Sequence, residues 1–316
     1  MKIGIIGAGA IGGWVAARLA LAGNPVSVLA RGETLKALQA GLSIREGSDI
    51  ERAEVRASGD ASDIGPQDVL VIAVKAPALA DAASLVRPMI GPETLIVPML
   101  NGVPWWFLDG ELLSSVDPDG SVAAAIPADQ LIGVVVHAAC RRSALNAIEV
   151  AHADKLIFGE PAGGASERAN RLAALFEQAG IRTELSDNVR RAIWYKLWGN
   201  MTMNPVSALT GATADRILGS ADLKPFILAC MAEAAEIGAS IGCPINESGE
   251  DRMAVAARLG AFKTSMLQDV EAGRTIELEA LVGAPREIGR RMGIPTPNID
   301  TLYAITRLMA ESRGLL

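Results

Sequence analysis

The sequence predicts an α/β fold, in which an N-terminal doubly wound parallel sheet is followed by an all-helical C-terminal domain. Two observations lead to this prediction. The runs DVLVIAVK and TLIVPML are continuously apolar and bounded by turn residues, as is typical of strands buried on both faces of a parallel sheet. Helical patterns alternate with strands in the first part of the chain, whereas only helical patterns occur from Asp187 onward.

The N-terminal elements follow each other in this alternating order. Lys2–Ile6 is a short β-rich run, and the glycine-rich stretch after it leads into a helix that Gly23 ends. PVSVLAR is a second strand, and a short helix near Glu33–Gln39 and two strands through 42–44 and 54–57 come next. The segment APALADAASLVRPMI supplies a crossover helix between the two buried strands.

A long, turn-rich connection, residues 104–130, separates this region from further strand-like runs at LIGVVVHAA, NAIEVAH and KLIFGE. A helix across Ser166–Ala179 and a short strand, IRTEL, follow. The composition changes at SDNVRR, so the expected domains are residues 1–186 and 187–316. Breaks in the helical part are predicted at Asn204-Pro205, Gly211, Cys243-Pro244 and Ile294-Pro295.

The composition excludes several classes of function. The chain has 316 residues and a formal net charge of −7, which argues against a nucleic-acid partner. Three scattered cysteines and two separate histidines give neither a disulfide framework nor a metal-ligand spacing, so no metal is expected. Arg18 interrupts the apolar N-terminal run, which argues against a signal peptide, and no uninterrupted apolar stretch is long enough to span a membrane. We therefore expect a cytoplasmic protein.

A glycine-rich turn predicts a dinucleotide site. Gly7, Gly9 and Gly12 form the pattern G-x-G-x-x-G directly after a strand and at the opening of a helix. In that context the glycines allow a tight turn and bring a pyrophosphate close to the helix N-terminus. The residues expected to contact the cofactor here are Gly7, Ala8, Gly9, Ala10, Ile11 and Gly12.

Three strand ends carry charged or polar residues that are candidates for contact with the cofactor or substrate. Arg31 ends the second strand, where NAD enzymes commonly place an acidic residue, and an arginine suits the 2′-phosphate of NADPH. The alternative is a surface arginine in a turn, with Glu33 close by. Lys75 ends a buried strand and is either solvated or directed at the cofactor or substrate. Asn101 closes the next strand within an Asn-Gly pair, which is often only a turn.

The stretch AIWYKLWGNMTMNP contains a polar stripe on an otherwise apolar helix. Lys196, Asn200 and Asn204 recur every four residues, so they fall within an arc of about 80° along about 12 Å of one helix edge. Such a stripe is usually a solvated face. Here, however, apolar residues surround it, and buried lysine or asparagine requires a partner. The pattern therefore favours a functional stripe.

These residues give the chain a resemblance to the ketopantoate reductase (2-dehydropantoate 2-reductase) family over nearly its full length. The motifs are GAGAIG, the VKA strand end, the NG of PMLNGV, the helix WYKLWGNMTMNPVSALTG, TSMLQD and GIPTPNIDTLY. The resemblance implies a Rossmann domain that binds NADPH and a helical domain, like the C-terminal domain of 6-phosphogluconate dehydrogenase, that covers the cleft. The implied reaction reduces ketopantoate, a 2-oxo acid, to pantoate in pantothenate biosynthesis.

The resemblance also implies roles for individual residues. The stripe would face the nucleotide cleft, and desolvation there should lower the lysine pKa, an effect that a nearby carboxylate such as Glu277 would oppose. The implied roles are proton donor for Lys196, substrate-side companions for Asn200 and Asn204, contact with nicotinamide and substrate for Asn101, substrate carboxylate binding for Ser265, and contact with the cofactor or a substrate hydroxyl for Glu277.

The chain departs from the family pattern at several positions, which keeps other functions open. Phe262 stands where the family often has asparagine, Leu281-Val282-Gly283 replaces I-N-G, and Ile276-Glu277-Leu278-Glu279 replaces T-E-I-D. A paralogue that reduces another 2-oxo acid with NADPH would look like this. The lysine and asparagine of the stripe also resemble those of β-hydroxyacid dehydrogenases, and a non-catalytic NADP sensor is a third alternative. Apolar helices in the second domain are compatible with a homodimer.

Overall fold

The protein forms two compact units. The computed structural model describes residues 1–258 and 260–316. Met1–Leu100 and Gly120–Ala192 make up the first unit, and Asn101–Asp119 and Ile193–Leu316 make up the second. The sequence-based division between residues 186 and 187 did not foresee that residues 101–119 belong with the helical unit. They do so because they pack onto its helices: the Ser115 amide donates to Glu287 Oε2 at 2.8 Å.

The first unit contains a doubly wound parallel sheet, as predicted. Its strand order is β5 (Arg56–Ser58), β2 (Val26–Leu29), β1 (Ile3–Ile6), β6 (Gln67–Ile72) and β7 (Ile90–Pro98), and every neighbouring pair is parallel. The order reverses between β1 and β6, which is where such sheets bind ligands, at the carboxyl ends of the strands. The strands of the first unit are β1 (Ile3–Ile6), β2 (Val26–Leu29), β3 (Leu42–Glu46), β4 (Asp49–Ala53), β5 (Arg56–Ser58), β6 (Gln67–Ile72), β7 (Ile90–Pro98), β8 (Gly133–Ala144), β9 (Ala147–Gly159) and β10 (Thr183–Leu185).

A second sheet, which the sequence did not predict, lies in the same unit. β9 pairs antiparallel with β8, and its other edge pairs in parallel with β3 and β10. The predicted strands NAIEVAH and KLIFGE are one continuous strand, because β8 pairs along its whole length and absorbs irregularities through shifts in register. β4 pairs with β3 but was missed, since its residues are mostly exposed and polar and carry no apolar alternation.

Helix α1 packs against both sheets of the first unit. Its residues Trp14, Val15 and Leu19 are buried in the core. Gly13 permits this close packing, since a Cβ atom there would lie 2.6 Å from Ile148 Cδ1 of β9. The helices of the first unit are α1 (Ala10–Leu21), α2 (Gly32–Gln39), α3 (Ala61–Ile64), α4 (Leu79–Leu85), α5 (Ser121–Ala125) and α6 (Glu167–Gln178).

The second unit is helical, as predicted, but its first helix runs through a predicted break. Helix α7 spans Val189–Thr210 with Pro205 inside it. A proline in a helix removes one backbone hydrogen bond. Met201 and Val206 on either side are buried, and this packing offsets the loss. The remaining helices are α8 (Ala214–Leu218), α9 (Lys224–Ser240), α10 (Gly249–Ala257), α11 (Ser265–Glu271), α12 (Ala284–Arg291) and α13 (Pro297–Ser312), with a π-helical turn at Glu279–Gly283 before α12.

Two tryptophans fix α7 against α9. Trp194 Nε1 donates to the Ala234 carbonyl at 3.0 Å, and Trp198 Nε1 donates to the Met231 carbonyl at 2.7 Å. Phe107, from the segment 101–119, stacks on Trp194 with ring centroids 5.8 Å apart. The aromatic start of the connection therefore belongs to the core of this unit. Among the described residues, no helix is long and apolar enough to cross a membrane.

Candidate active site

The glycine-rich turn of the first unit has the geometry that a pyrophosphate requires. Gly7 has φ +92°, and a Cβ atom there would lie 2.6 Å from the Ala73 carbonyl oxygen. A Cβ atom at Gly12 would lie 2.1 Å from the Gly7 carbonyl oxygen, so the start of α1 fits directly against β1. Gly9, by contrast, has no described atom within 4 Å of its Cβ position. Open space in front of Gly9 lets a phosphate approach the backbone.

The N-terminus of α1 leaves donors for an anion at this turn. Gly9 is the N-cap residue, and it has no side chain to accept from the first N–H groups. The first turn also contains no acidic residue, which keeps the positive end of the helix dipole available. The predicted contacts Ala8, Ala10 and Ile11 are only partly buried. The turn therefore fits the pyrophosphate of a dinucleotide.

Arg31 and Lys75 lie at the same edge of the parallel sheet. Arg31 is exposed and is the N-cap residue of α2, two residues beyond β2. The neighbouring Glu33 is exposed and forms a surface ion pair with Lys36 at 2.9 Å. Lys75 lies three residues beyond the end of β6 and is exposed. Both positions are at the carboxyl ends of strands next to the point where the strand order reverses.

The polar stripe on α7 is not a solvated face. Lys196 and Asn200 are only partly exposed, and Asn204 is buried, with 5% of its surface exposed. Each asparagine reaches a residue that the sequence had assigned to the same site. Asn200 Nδ2 donates to Asn101 Oδ1 and Asn204 Nδ2 donates to Ser265 Oγ, both at 3.4 Å. Both contacts are at the long end of the range for such bonds and are therefore weak.

Lys196 on the same helix edge interacts electrostatically with the Glu277 carboxylate. Burial among protein atoms lowers the Lys196 pKa to about 8, and the nearby Glu277 carboxylate opposes the shift. Glu277 is itself buried, with 9% of its surface exposed. The six predicted residues thus form three pairs, each with one member on the same edge of α7: Lys196 with Glu277, Asn200 with Asn101, and Asn204 with Ser265. They make up one group, connected through α7.

One further feature of this group was missed from the sequence, and another was indicated only as a turn. The π-helical turn Glu279–Gly283 begins two residues after Glu277, and π-helical turns often occur at functional sites. Gly102, next to Asn101, has φ +84°. The Asn-Gly pair indicated a turn there, whereas the spacing of apolar residues gives no signal for a π-helical register. Among the described residues, no group of three or more His, Cys, Asp or Glu side chains is placed to hold a metal ion.

A dinucleotide turn on a doubly wound sheet and a helical unit with a lysine of lowered pKa define a dinucleotide-dependent oxidoreductase. Family models described as "Ketopantoate reductase PanE/ApbA" and "Ketopantoate reductase PanE/ApbA C terminal" match residues 3–163 and 188–310. The chain therefore belongs to the ketopantoate reductase family.

Individual relatives with the same description are similar to this chain over nearly its whole length. A 2-dehydropantoate 2-reductase of Mesorhizobium japonicum is 42% identical over 99% of both chains. A crystal structure of a protein from Ralstonia solanacearum, described as a candidate ketopantoate reductase, is 53% identical, covers 100% of this chain and 99% of that one, and has a TM-score of 0.97. The 2-dehydropantoate 2-reductase of Methylococcus capsulatus is 30% identical, with 99% and 98% covered and a TM-score of 0.87.

The lowered pKa of Lys196 can be tested directly. We expect its ammonium group to titrate at about pH 8, and at a lower pH in Glu277→Gln, because that change removes the carboxylate that favours the charged form. NMR titration of ¹³C-methylated lysines, with the Lys196 signal assigned from Lys196→Arg, measures both values. Glu271→Gln is the control, since Glu271 pairs with the exposed Lys263 at 2.7 Å. Titration of Lys196 near its ordinary pKa of 10.5, or no effect of Glu277→Gln, would contradict this account.

Proposed function

We propose that the protein reduces 2-dehydropantoate (ketopantoate) to pantoate with NADPH, with Lys196 as the proton donor. The observation that carries the proposal is the connected group on α7, in which a lysine of lowered pKa lies beside a carboxylate and two asparagines. This group occurs in a chain that is 42% identical to a 2-dehydropantoate 2-reductase. We propose further that the enzyme acts in the cytoplasm, on a small-molecule substrate, and as a homodimer.

The chemistry follows from the charge that develops on the substrate. NADPH supplies the hydride that the carbonyl carbon accepts. Negative charge then grows on the carbonyl oxygen, where the Lys196 ammonium stabilises it and donates a proton. With a pKa of about 8, Lys196 is largely protonated at neutral pH, yet it releases its proton more readily than an ordinary lysine. Glu277 keeps that ammonium charged between turnovers.

The other residues of the group bind and orient the substrate. Asn200 and Asn204 offer amide donors and acceptors on the same edge of α7 as Lys196, so they can fix the carbonyl relative to the ammonium. Asn101 is proposed to contact both nicotinamide and substrate. The exposed Ser265 hydroxyl is proposed to donate to the substrate carboxylate. Glu277 is proposed to accept from a substrate hydroxyl or from the cofactor.

The first unit is proposed to hold the cofactor. The backbone N–H groups from Gly7 to Gly12 bind the pyrophosphate at the N-terminus of α1. Arg31 binds the 2′-phosphate, since its guanidinium is exposed and Glu33 is paired with Lys36. Lys75 adds a positive charge at the same edge of the sheet and is proposed to contact the cofactor.

Another 2-oxo acid is the second candidate substrate. It is favoured by Phe262, an aromatic residue at a position where the family often has asparagine. Trp105 and Phe107, at the start of the long connection, are buried in the core and do not add to the evidence for another substrate. The departures therefore affect the proposed substrate more than the proposed chemistry.

Turnover of a panel of 2-oxo acids with NADPH tests the proposed function. We expect 2-dehydropantoate to give the highest kcat/KM, ahead of 2-oxoisovalerate, which lacks its hydroxymethyl group, and of phenylpyruvate, which is bulkier and aromatic. Oxidation of 3-hydroxyisobutyrate with NADP⁺ serves as the β-hydroxyacid control. Preference for phenylpyruvate would indicate that the enzyme reduces another 2-oxo acid. Turnover of 3-hydroxyisobutyrate alone would indicate a β-hydroxyacid dehydrogenase and contradict the proposed function.

The proton-donor role predicts a specific kinetic change. Lys196→Ala should lower kcat by roughly 10²-fold or more and leave the Kd for NADPH nearly unchanged, because the ammonium acts on charge that exists only in the transition state. In the wild type, kcat/KM for reduction should fall as pH rises through about 8, where the proton on Lys196 is lost. Steady-state kinetics and NADPH titration measure these quantities. A folded Lys196→Ala protein with near-normal kcat would exclude the role.

Arg31 predicts the choice of cofactor. NADPH should bind at least tenfold more tightly than NADH, since a charge-assisted hydrogen bond contributes about 1.5–3 kcal/mol and tenfold corresponds to about 1.4 kcal/mol. Arg31→Glu should remove this preference. Arg87→Glu, which makes the same change of charge at an exposed position before the amino end of β7, is the matched control and should preserve it. Fluorescence titration of both nucleotides measures the ratio, and equal affinities in the wild type would contradict the assignment.

A further inference from the structure

The π-helical turn leaves one backbone carbonyl without a donor from its own helix. The Ala284 N–H donates to the Glu279 carbonyl, five residues back, which is the π-helical pattern. In this register the Ala280 carbonyl would pair with residue 285. That residue is Pro285, which has no N–H. The Ala280 carbonyl must therefore find its donor elsewhere, because buried carbonyl groups are rarely left unpaired.

The donor comes from the segment that carries Asn101. The Val103 N–H donates to the Ala280 carbonyl at 2.9 Å. Gly102, between Asn101 and Val103, has φ +84°, and a Cβ atom there would lie 2.4 Å from the Ala280 carbonyl oxygen and 2.6 Å from its carbon. Only glycine therefore allows this segment to approach the π-helical turn so closely.

This contact fixes the position of Asn101. Its side chain accepts from Asn200 Nδ2 at 3.4 Å, which is a long hydrogen bond that does not hold the amide in place by itself. The backbone on the C-terminal side of Asn101 is held by the Val103–Ala280 hydrogen bond instead. The π-helical turn begins two residues after Glu277, so the same element positions Glu277 and Asn101.

A second network holds the π-helical turn itself. Tyr303 Oη of α13 donates to Glu279 Oε1 at 2.6 Å, and Arg307 Nη1 donates to Tyr303 Oη at 3.0 Å. The Glu279 carboxylate also lies over Gly283, where a Cβ atom would be 2.1 Å from Oε2. The first residue of the turn is thus held by α13, and its carboxylate lies against the last residue of the turn.

We infer that Gly102 and Pro285 are positioning residues for the reaction, because together they make the Ala280 carbonyl hold the Asn101 amide against Asn200. The inference rests on the proposed function only for the consequence in catalysis. The placement of Asn101 is a property of the helical unit, and it can be measured without substrate.

Three variants separate positioning from a general loss of stability. Gly102→Ala places a methyl group against the Ala280 carbonyl. Pro285→Ala leaves Gly102 intact but adds an N–H that competes with Val103 for the same carbonyl. Gly110→Ala is the control, since Gly110 lies in the same segment with φ +72° and has no described atom within 4 Å of its Cβ position.

The first measurement is the side-chain amide resonance of Asn200, assigned from its loss in Asn200→Asp. We expect it to shift in Gly102→Ala and Pro285→Ala in the same direction as in Asn101→Ala, and to stay unchanged in Gly110→Ala. Unchanged resonances in both Gly102→Ala and Pro285→Ala would overturn the inference, whatever the protein reduces. If Gly102→Ala does not fold, Pro285→Ala alone decides.

The second measurement is a double-mutant cycle in the reduction of 2-dehydropantoate. We expect Gly102→Ala and Pro285→Ala to lower kcat at least about tenfold in the wild-type background, since small misplacements of an orienting group are costly. In the Asn101→Ala background the further loss should be less than about twofold, because the positioned group is already absent. Equal losses in both backgrounds would overturn the inference. A wild type without turnover would contradict the proposed function and leave the resonance test standing.

Discussion

Placing the Lys196 ammonium among protein atoms is the constraint on which the helical unit depends. Burial disfavours the charged form and lowers its pKa to about 8. In the proposed reaction this makes Lys196 a stronger acid than an ordinary lysine, while the Glu277 carboxylate favours its charged form. The proposed role therefore depends on Lys196 being partly buried and on Glu277 being close to it.

Helix α7 has an apolar side that packs against α9 and a polar edge that carries the site residues. Trp194 and Trp198 bury its apolar side and anchor it to α9 with indole hydrogen bonds. The edge with Lys196, Asn200 and Asn204 then occupies a fixed direction, because the helix does not rotate without breaking those bonds. The helix must also continue through Pro205. Asn204 lies one residue before this proline, so it keeps its place on the edge of α7 only if the helix does not end there.

The sequence predicted what is local and missed what depends on distant pairing. Periods of 3.6 residues and apolar runs located the parallel sheet, α7 and the stripe, and the glycine pattern located the dinucleotide turn. The second sheet was missed because β3 joins β9 across about a hundred residues, and no local pattern records that partner. The π-helical turn was missed for a related reason. Pro285 indicates that a helical hydrogen bond is lost, but the residue that replaces its donor, Val103, is distant in the sequence.

The residues near Glu277 that depart from the family pattern affect the packing of the π-helical turn rather than the residues proposed to take part in the reaction. Leu281 and Val282 are buried, so they contribute packing to the π-helical turn. Glu279 stands where the family pattern has aspartate, and its additional methylene group lets the carboxylate reach Tyr303 Oη while it lies over Gly283. Gly283, which the family shares, leaves room for the carboxylate in this position. These substitutions alter how the turn is held, while Glu277 and the carbonyl that anchors Asn101 remain.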